Sequence, residues 1–179
     1  DDHLVKTQTM TGSPYIKPNK AAADTWEKML VYIQDLLDEW LLVQRDWMSL
    51  SPVFSSEDIM RQMPTEGRRF QAVDAVFKQI MAYVVKTPVC LEVAADFSQP
   101  LDKQLLTKLK KASEFLELIK KGLSDYLEKK RAVFPRFYFL DDEGLLMILA
   151  QARDPTAVQP HLGKRFDNIA KLTVERKGE

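Results

Sequence analysis

The chain has 179 residues, 45% of them hydrophobic and 29% charged, with only 6 glycines and 9 prolines, the profile of a folded helical protein and not of a linker or β-sandwich. Its 26 basic and 26 acidic residues cancel, which removes the general attraction that a basic domain has for nucleic acid or an anionic membrane. The single cysteine, Cys90, excludes an internal disulfide framework and a thiolate zinc site, and no run of 18 apolar residues is present to span a membrane.

Residues 1–20 hold a short helix around His3 to Met10, then Gly12, Pro14 and Pro18, which punctuate it. They read as a mobile lead-in or the end of a preceding helix, with the helical domain proper over 21–179. From Thr25 to Leu50 the apolar residues Trp26, Met29, Ile33, Leu36, Trp40, Val43, Trp47 and Leu50 alternate by three and four. That is the seam of one long helix, on the order of 39 Å at 1.5 Å per residue. Trp26, Trp40 and Trp47 share one rank of the seam, so this edge is expected to meet another helix. Asp24, with Glu27 three residues on, is the expected N-cap, and Ser51-Pro52 the expected stop.

Ser55 or Ser56 caps a short helix carrying Ile59, Met60 and Met63, which Pro64 ends. A second long helix, from about Thr65 to Val85, repeats the seam with Phe70, Val73, Phe77, Ile80 and Val84. Thr87 to Pro100 reads as a loop in which VCLEV is able to pair briefly as a strand, with Cys90 a buried, inert thiol among apolar neighbours. The third long helix, Pro100 to Arg131, has Leu105, Leu109, Ala112, Leu116, Ile119, Leu123 and Tyr126 on its seam, widened by Phe115, Leu118 and Leu127. Gly122 inside it costs roughly 1 kcal/mol relative to Ala, which implies a close neighbour or a bend.

Pro135 ends that helix within FPRFYF. Alternation there puts Phe137 and Phe139 in the core and turns Arg136 and Tyr138 toward a partner. Asp141 or Asp142 caps a short helix that buries Leu145, Leu146, Ile148 and Leu149. Another short helix starts at Asp154-Pro155 and is cut by Pro160; a further turn passes through Phe166, and Ala170, Leu172 and Val174 alternate as a strand would. The expected fold is all-α: an elongated bundle of long antiparallel helices with short connecting helices and a terminal β-strand fragment.

Chemistry-bearing patterns are missing. Neither His3 nor His161 sits in an HExxH or ExxH pattern, and Gly163-Lys164-Arg165 lacks the first glycine and the Ser or Thr of a phosphate loop. No catalytic, cofactor or metal residue is expected in the segment. The residues that matter are those of the structural seams, Trp26, Trp40, Trp47, Phe70, Phe77, Leu116, Phe137 and Phe139, with Arg136 and Tyr138 as the partner-facing pair. Since the chain starts without Met and stops at VERKGE just after a strand-like piece, it reads as part of something larger.

The blocks WLLVQRDWMSL (40–50), PVFSSEDIMRQMPTEGRRF (52–70), FPRFYFLDDEGLLMIL (134–149) and DPTAVQPHLGKRFDNIAKL (154–172) follow one another in an order that resembles the linker region of dynein heavy chains. The resemblance covers nearly the whole chain from Trp26 onward, and SSEDIMRQMP looks more like the axonemal type. Asp141 stands where the family commonly has Ser and keeps the capping oxygen. Gly144 stands where the family often has an acidic residue before LL and weakens the first turn, and Met147 stands where Glu often follows LL and removes a charge from an exposed or interfacial face.

The resemblance implies a mostly helical arm lying across a ring of AAA+ modules and changing shape as the ring hydrolyses ATP. Joints near Thr87 to Pro100 or Phe134 to Asp142 would bend. It further implies ATP and magnesium in the downstream ring and none in this segment. The partners implied are that ring, microtubules, and the intermediate and light chains of the parent assembly, in the cytoplasm, the cytoskeleton and the ciliary or flagellar axoneme. Neither nucleic acid nor membrane is implied. The alternative from residues alone is a spectrin-like helical spacer or docking module. Uneven helix lengths and the lack of an internal repeat weigh against it.

Overall fold

Spacing of apolar residues by three and four along three stretches obliges each to form a helix and to cover one side. The computed structural model describes residues 2–94, 104–150 and 173, and among them all regular structure is helical. In chain order the helices are α1 (Asp2–Thr11), α2 (Lys20–Phe54), α3 (Glu57–Gln62), α4 (Pro64–Lys86), α5 (Cys90–Val93), α6 (Leu105–Val133) and α7 (Asp142–Ala150), with 3-10 turns at Lys17–Asn19 and Pro135–Phe139. The all-α class is as expected. The start of the third helix at Pro100, the short helices after Asp154, the turn through Phe166, the strand at Ala170 to Val174, His161 and the Gly163-Lys164-Arg165 run lie outside the described residues.

Helix α2 corrects the sequence reading at both ends. Pro18 opens the 3-10 turn, and Lys20 that follows it is already helical at φ −56, ψ −47, so the turn runs directly into α2. Ala21, Ala22 and Ala23 are the best helix formers available, and they carry the helix across Asp24, which therefore sits in its second turn and not at its start. At the other end α2 passes through Pro52 to Phe54. A proline removes one backbone donor and crowds the preceding turn. Two residues later Phe54 is buried and stacks on Phe70 with ring centroids 5.1 Å apart, and burying one Phe contributes about 1.5–3 kcal/mol.

The chain divides into two units, Asp1–Arg45 with Val73–Glu114 and Asp46–Ala72 with Phe115–Glu179. In the first, Tyr32, Leu36 and Val43 of α2, Val73, Phe77 and Ile80 of α4, and Leu105, Leu109 and Ala112 of α6 are buried. Trp40 meets Phe77 edge to face at 6.4 Å. The Leu106 N–H, one of the donors left open in the first turn of any helix, donates to the Tyr32 hydroxyl at 3.4 Å. VCLEV is a helical turn and not a strand: Val89 is extended, Cys90–Val93 coil once, and Ala94 closes the turn. Val93 and Ala94 go inward while Cys90 is exposed, correcting the expectation of a buried thiol.

In the second unit the core holds Leu50, Phe54, Ile59, Met63, Phe70, Leu116, Ile119, Leu123 and Leu127, with Leu140, Leu145 and Ile148, and α3 packs on α7. Phe115 and Leu118, expected to widen the buried face of α6, are exposed. Pro64 both stops α3 and occupies the first position of α4, where its missing N–H costs nothing. Gly122 has the close neighbour its sequence position implies: a Cβ there would lie 2.8 Å from Glu66 Oε1 and 2.9 Å from its Cγ. Polar cross-links between elements include Lys120 Nζ to Asp46 Oδ2 at 2.7 Å and the Tyr126 hydroxyl to Gln62 Oε1 at 2.6 Å.

Two stability measurements follow, both by chemical denaturation of the chain. Leu116→Ala, at a side chain with no exposure, costs about 2–5 kcal/mol, whereas Leu118→Ala on the exposed face of the same helix stays within about 0.5 kcal/mol. Gly122→Ala made in a Glu66→Ala background stabilises by about 1 kcal/mol, the helix-propensity difference; made alone it gains less or loses, because Glu66 is in the way. Equal effects in the two backgrounds would mean that Glu66 does not restrict Gly122.

Candidate interaction surface

No group of three or more His, Cys, Asp or Glu among the described residues is placed to hold a metal, and no described helix is long and apolar enough to cross a membrane. Open hollows occur in both units. One of about 510 Å³ in the first unit is lined by Asp24, Glu27, Lys28, Val31, Tyr32 and Asp35. Another, of about 540 Å³ in the second unit, is lined by Phe54, Ser55, Glu57, Met60, Arg61 and Gln71. The more organised feature is the elbow between α6 and α7.

The elbow is built from the chain outward. Phe134 is extended at φ −131, ψ 92, the conformation that a following proline favours. Pro135–Phe139 then coil as a 3-10 helix, and Leu140 leaves in an extended conformation. In a 3-10 helix residues three apart lie one above another. Phe134, Phe137 and Leu140 therefore share a side: Leu140 is buried with Leu127, Leu145 and Ile148, Phe137 packs half-buried on that cluster, and Phe134 meets Phe137 edge to face at 4.9 Å. This period of three displaces the period of two read from FPRFYF. Phe139, expected in the core, is 72% exposed, and Arg136 and Tyr138 are exposed beside it.

Polar ties hold the elbow in place. Arg131, its side chain only 15% exposed, donates to the Leu140 carbonyl at 3.2 Å and to Asp142 Oδ1 at 2.6 Å. The Tyr138 hydroxyl donates to Glu128 Oε1 at 2.6 Å. Asp141 Oδ1 accepts the Gly144 N–H at 3.2 Å and caps α7. The hydrogen bond to Glu128 favours the protonated phenol and holds the Tyr138 pKa above its ordinary value; slight burial and the Glu128 charge act the same way, and Arg131 acts against them. Tyr126, one turn before Lys130 and with that ammonium 5.1 Å above its ring, is raised by burial.

The other seam residues are scattered. Trp40 and Trp47 are half-buried, Phe70, Phe77 and Leu116 are core, and Trp26 is 39% exposed. The deeply buried stripe of α2 runs through Tyr32, Leu36, Val43 and Leu50 and not through the tryptophans. Sequence reasoning missed Tyr32, Glu128 and Arg131. Tyr32 was legible as a large residue one position from the seam. Arg131 and Asp142 are eleven residues apart, a spacing that signals nothing until the chain turns back at Pro135.

Over residues 1–179 the chain matches the family model described as "Dynein heavy chain, N-terminal region 2". It is 55% identical over 172 residues to Dynein axonemal heavy chain 3 of Homo sapiens, covering 96% of this chain and 4% of that protein. It is 48% identical over 175 residues to Dynein axonemal heavy chain 1 of Rattus norvegicus, covering 98% and 4%. To Dynein axonemal heavy chain 12 of Mus musculus it is 51% identical over 172 residues, covering 96% and 5%. The chain spans 4–5% of the length of these relatives.

The raised pKa values of Tyr126 and Tyr138 have a definite sign for stability. A phenol that holds its proton more tightly when folded contributes below its unfolded pKa, near 10, and the contribution is lost as pH rises through the higher folded value. Melting temperature is therefore expected to fall as pH rises above about 10, and to fall less steeply in Tyr138→Phe and Tyr126→Phe. An unchanged slope in both variants would show that neither phenol contributes.

Proposed function

Because the chain belongs to the dynein heavy chain family, we propose that it is the linker segment that carries motion from an ATP-driven AAA+ ring to the tail of a microtubule motor. ATP and magnesium are held by ring modules outside this segment, and microtubules, intermediate chains and light chains are engaged by the parent assembly. The named relatives are axonemal heavy chains, which supports work in the axoneme of a cilium or flagellum. No chemistry is assigned to these residues. Their task is mechanical.

The observation that carries this reading is the contrast within the second unit between α6 and the elbow after it. Bending α6 would open a stripe of fully buried leucine and isoleucine, Leu116, Ile119 and Leu127. Turning the elbow exchanges the Arg131 and Tyr138 hydrogen bonds, of which those of the shielded Arg131 side chain are worth about 0.5–3 kcal/mol each. A joint of that cost is within reach of nucleotide-driven population shifts. The stiff helix transmits and the elbow yields.

In the full-length motor, Arg131→Ala combined with Tyr138→Phe is expected to leave ATP turnover in place while microtubule gliding slows, because work done on the ring is lost in a slack joint. Gliding at the unaltered speed, with the variant folded by thermal melting, would rule out the elbow as a force-bearing joint. Parallel loss of turnover and gliding would instead place these residues in support of the ring itself.

A further inference from the structure

The five tyrosines of the chain differ in access and in the charges beside them. Tyr32 is buried, and Tyr126 is half-buried with its hydroxyl on Gln62; Tyr15, Tyr83 and Tyr138 are exposed. No Asp or Glu lies within five residues of Tyr15 or Tyr83, whereas Tyr138 is followed at three, four and five residues by Asp141, Asp142 and Glu143. Tyr83 is also fixed inside the long helix α4. Tyr138 sits in the 3-10 turn Pro135–Phe139, whose poorer hydrogen-bond geometry lets it open at less cost than an α-helix. An enzyme that modifies a tyrosine has to draw it out of its surroundings and select it by neighbouring charge. Among the five, Tyr138 alone joins exposure to an acidic run.

We propose that Tyr138 is the acceptor site of an ATP-dependent protein tyrosine kinase and that its phosphate unlocks the elbow between α6 and α7. In the transfer the phenol oxygen bonds to the γ-phosphorus of ATP, that phosphorus parts from the bridging oxygen of ADP, and the phenol proton passes to solvent. The hydroxyl that donates to Glu128 Oε1 at 2.6 Å is then lost as a donor. In its place stands a group of about −1.5 to −2 charges at neutral pH, which the Glu128 carboxylate repels. Arg131 is a cation whose field reaches Tyr138, and it holds the Leu140 carbonyl and Asp142 Oδ1. Phosphate oxygens suit a guanidinium better than a single carbonyl does, so Arg131 is drawn away from the bonds that fasten Leu140 and Asp142 to α6. The Asp141 cap is untouched, and α7 is released as an intact helix. The proposal rests on the reading of the elbow as a joint and adds the means of regulating it.

Two arms on the full-length heavy chain test this. In the first, the chain is isolated from its own cells with tyrosine phosphatases inhibited, and mass spectrometry reads phosphate at each tyrosine. Occupancy at Tyr138 is expected to exceed that at Tyr15 and Tyr83 by at least about tenfold, or roughly 1.4 kcal/mol of discrimination. A detected Tyr138 peptide that carries no phosphate, or no more than the other two, overturns the proposal. In the second arm the chain is treated with ATP and a tyrosine kinase domain that prefers acidic substrates. Amide hydrogen exchange over residues 135–144 is expected to quicken by at least about fivefold, as the loss of one hydrogen bond of ordinary strength gives, and the same treatment of Tyr138→Phe is expected to change nothing there. Tyr138 left unmodified by the kinase, exchange unaltered by its phosphate, or equal quickening in Tyr138→Phe overturns the proposal as well. Neither readout involves force, so these results stand apart from the gliding speed that tests the joint itself.

Discussion

One unbroken apolar stripe on α6, from Leu105 through Leu109, Ala112, Leu116, Ile119 and Leu123 to Leu127, has to be kept from water along almost the whole of a 29-residue helix. Its first part lies in one unit and the rest in the other. Each leucine buried contributes about 1.5–3 kcal/mol, so this stripe outweighs any single polar contact in either unit. Polar groups near it are arranged to avoid loss more than to add stability. The Tyr32 hydroxyl satisfies a helix-start N–H, and Lys120 neutralises Asp46, whose side chain is only 14% exposed and would be costly without a partner.

At the elbow the balance is reversed. The apolar anchor there is small, Phe137 and Leu140 against Leu127, Leu145 and Ile148, while Arg131, Tyr138 and Asp141 supply directional bonds at the rim. Directional bonds break and re-form over short displacements, whereas a buried leucine stripe yields only by admitting water or sliding as a block. Rigid helices joined by such an elbow suit the mechanical role proposed above.

Much of this was legible in local pattern. Phe70, Val73, Phe77 and Ile80 on α4, and Leu105 to Leu123 on α6, were placed on the inner side by spacing alone, because the helical period ties side-chain direction to residue number. Pro64 and Pro135 marked boundaries through the donor they lack. Asp141 marked a cap through its carboxylate, and Gly122 marked a close approach through its missing Cβ. Ordered sequence blocks pointed to dynein heavy chains, in agreement with the match over residues 1–179.

What pattern left open was decided by neighbours distant in sequence. Spacing assigns a residue to a side of its helix, but only another element reaching that level covers it, so Trp26, Leu37, Leu41 and Leu118 are exposed while Tyr32 is buried. Six residues of FPRFYF are compatible with a period of two or of three. Burial of Leu140 beside Leu127 selected the latter and sent Phe139 to the surface. Likewise Pro52 reads locally as a stop, and the helix continues because Phe54 finds Phe70 on another helix. Secondary structure follows from short-range sterics and periodicity, whereas burial depends on where the rest of the chain lies.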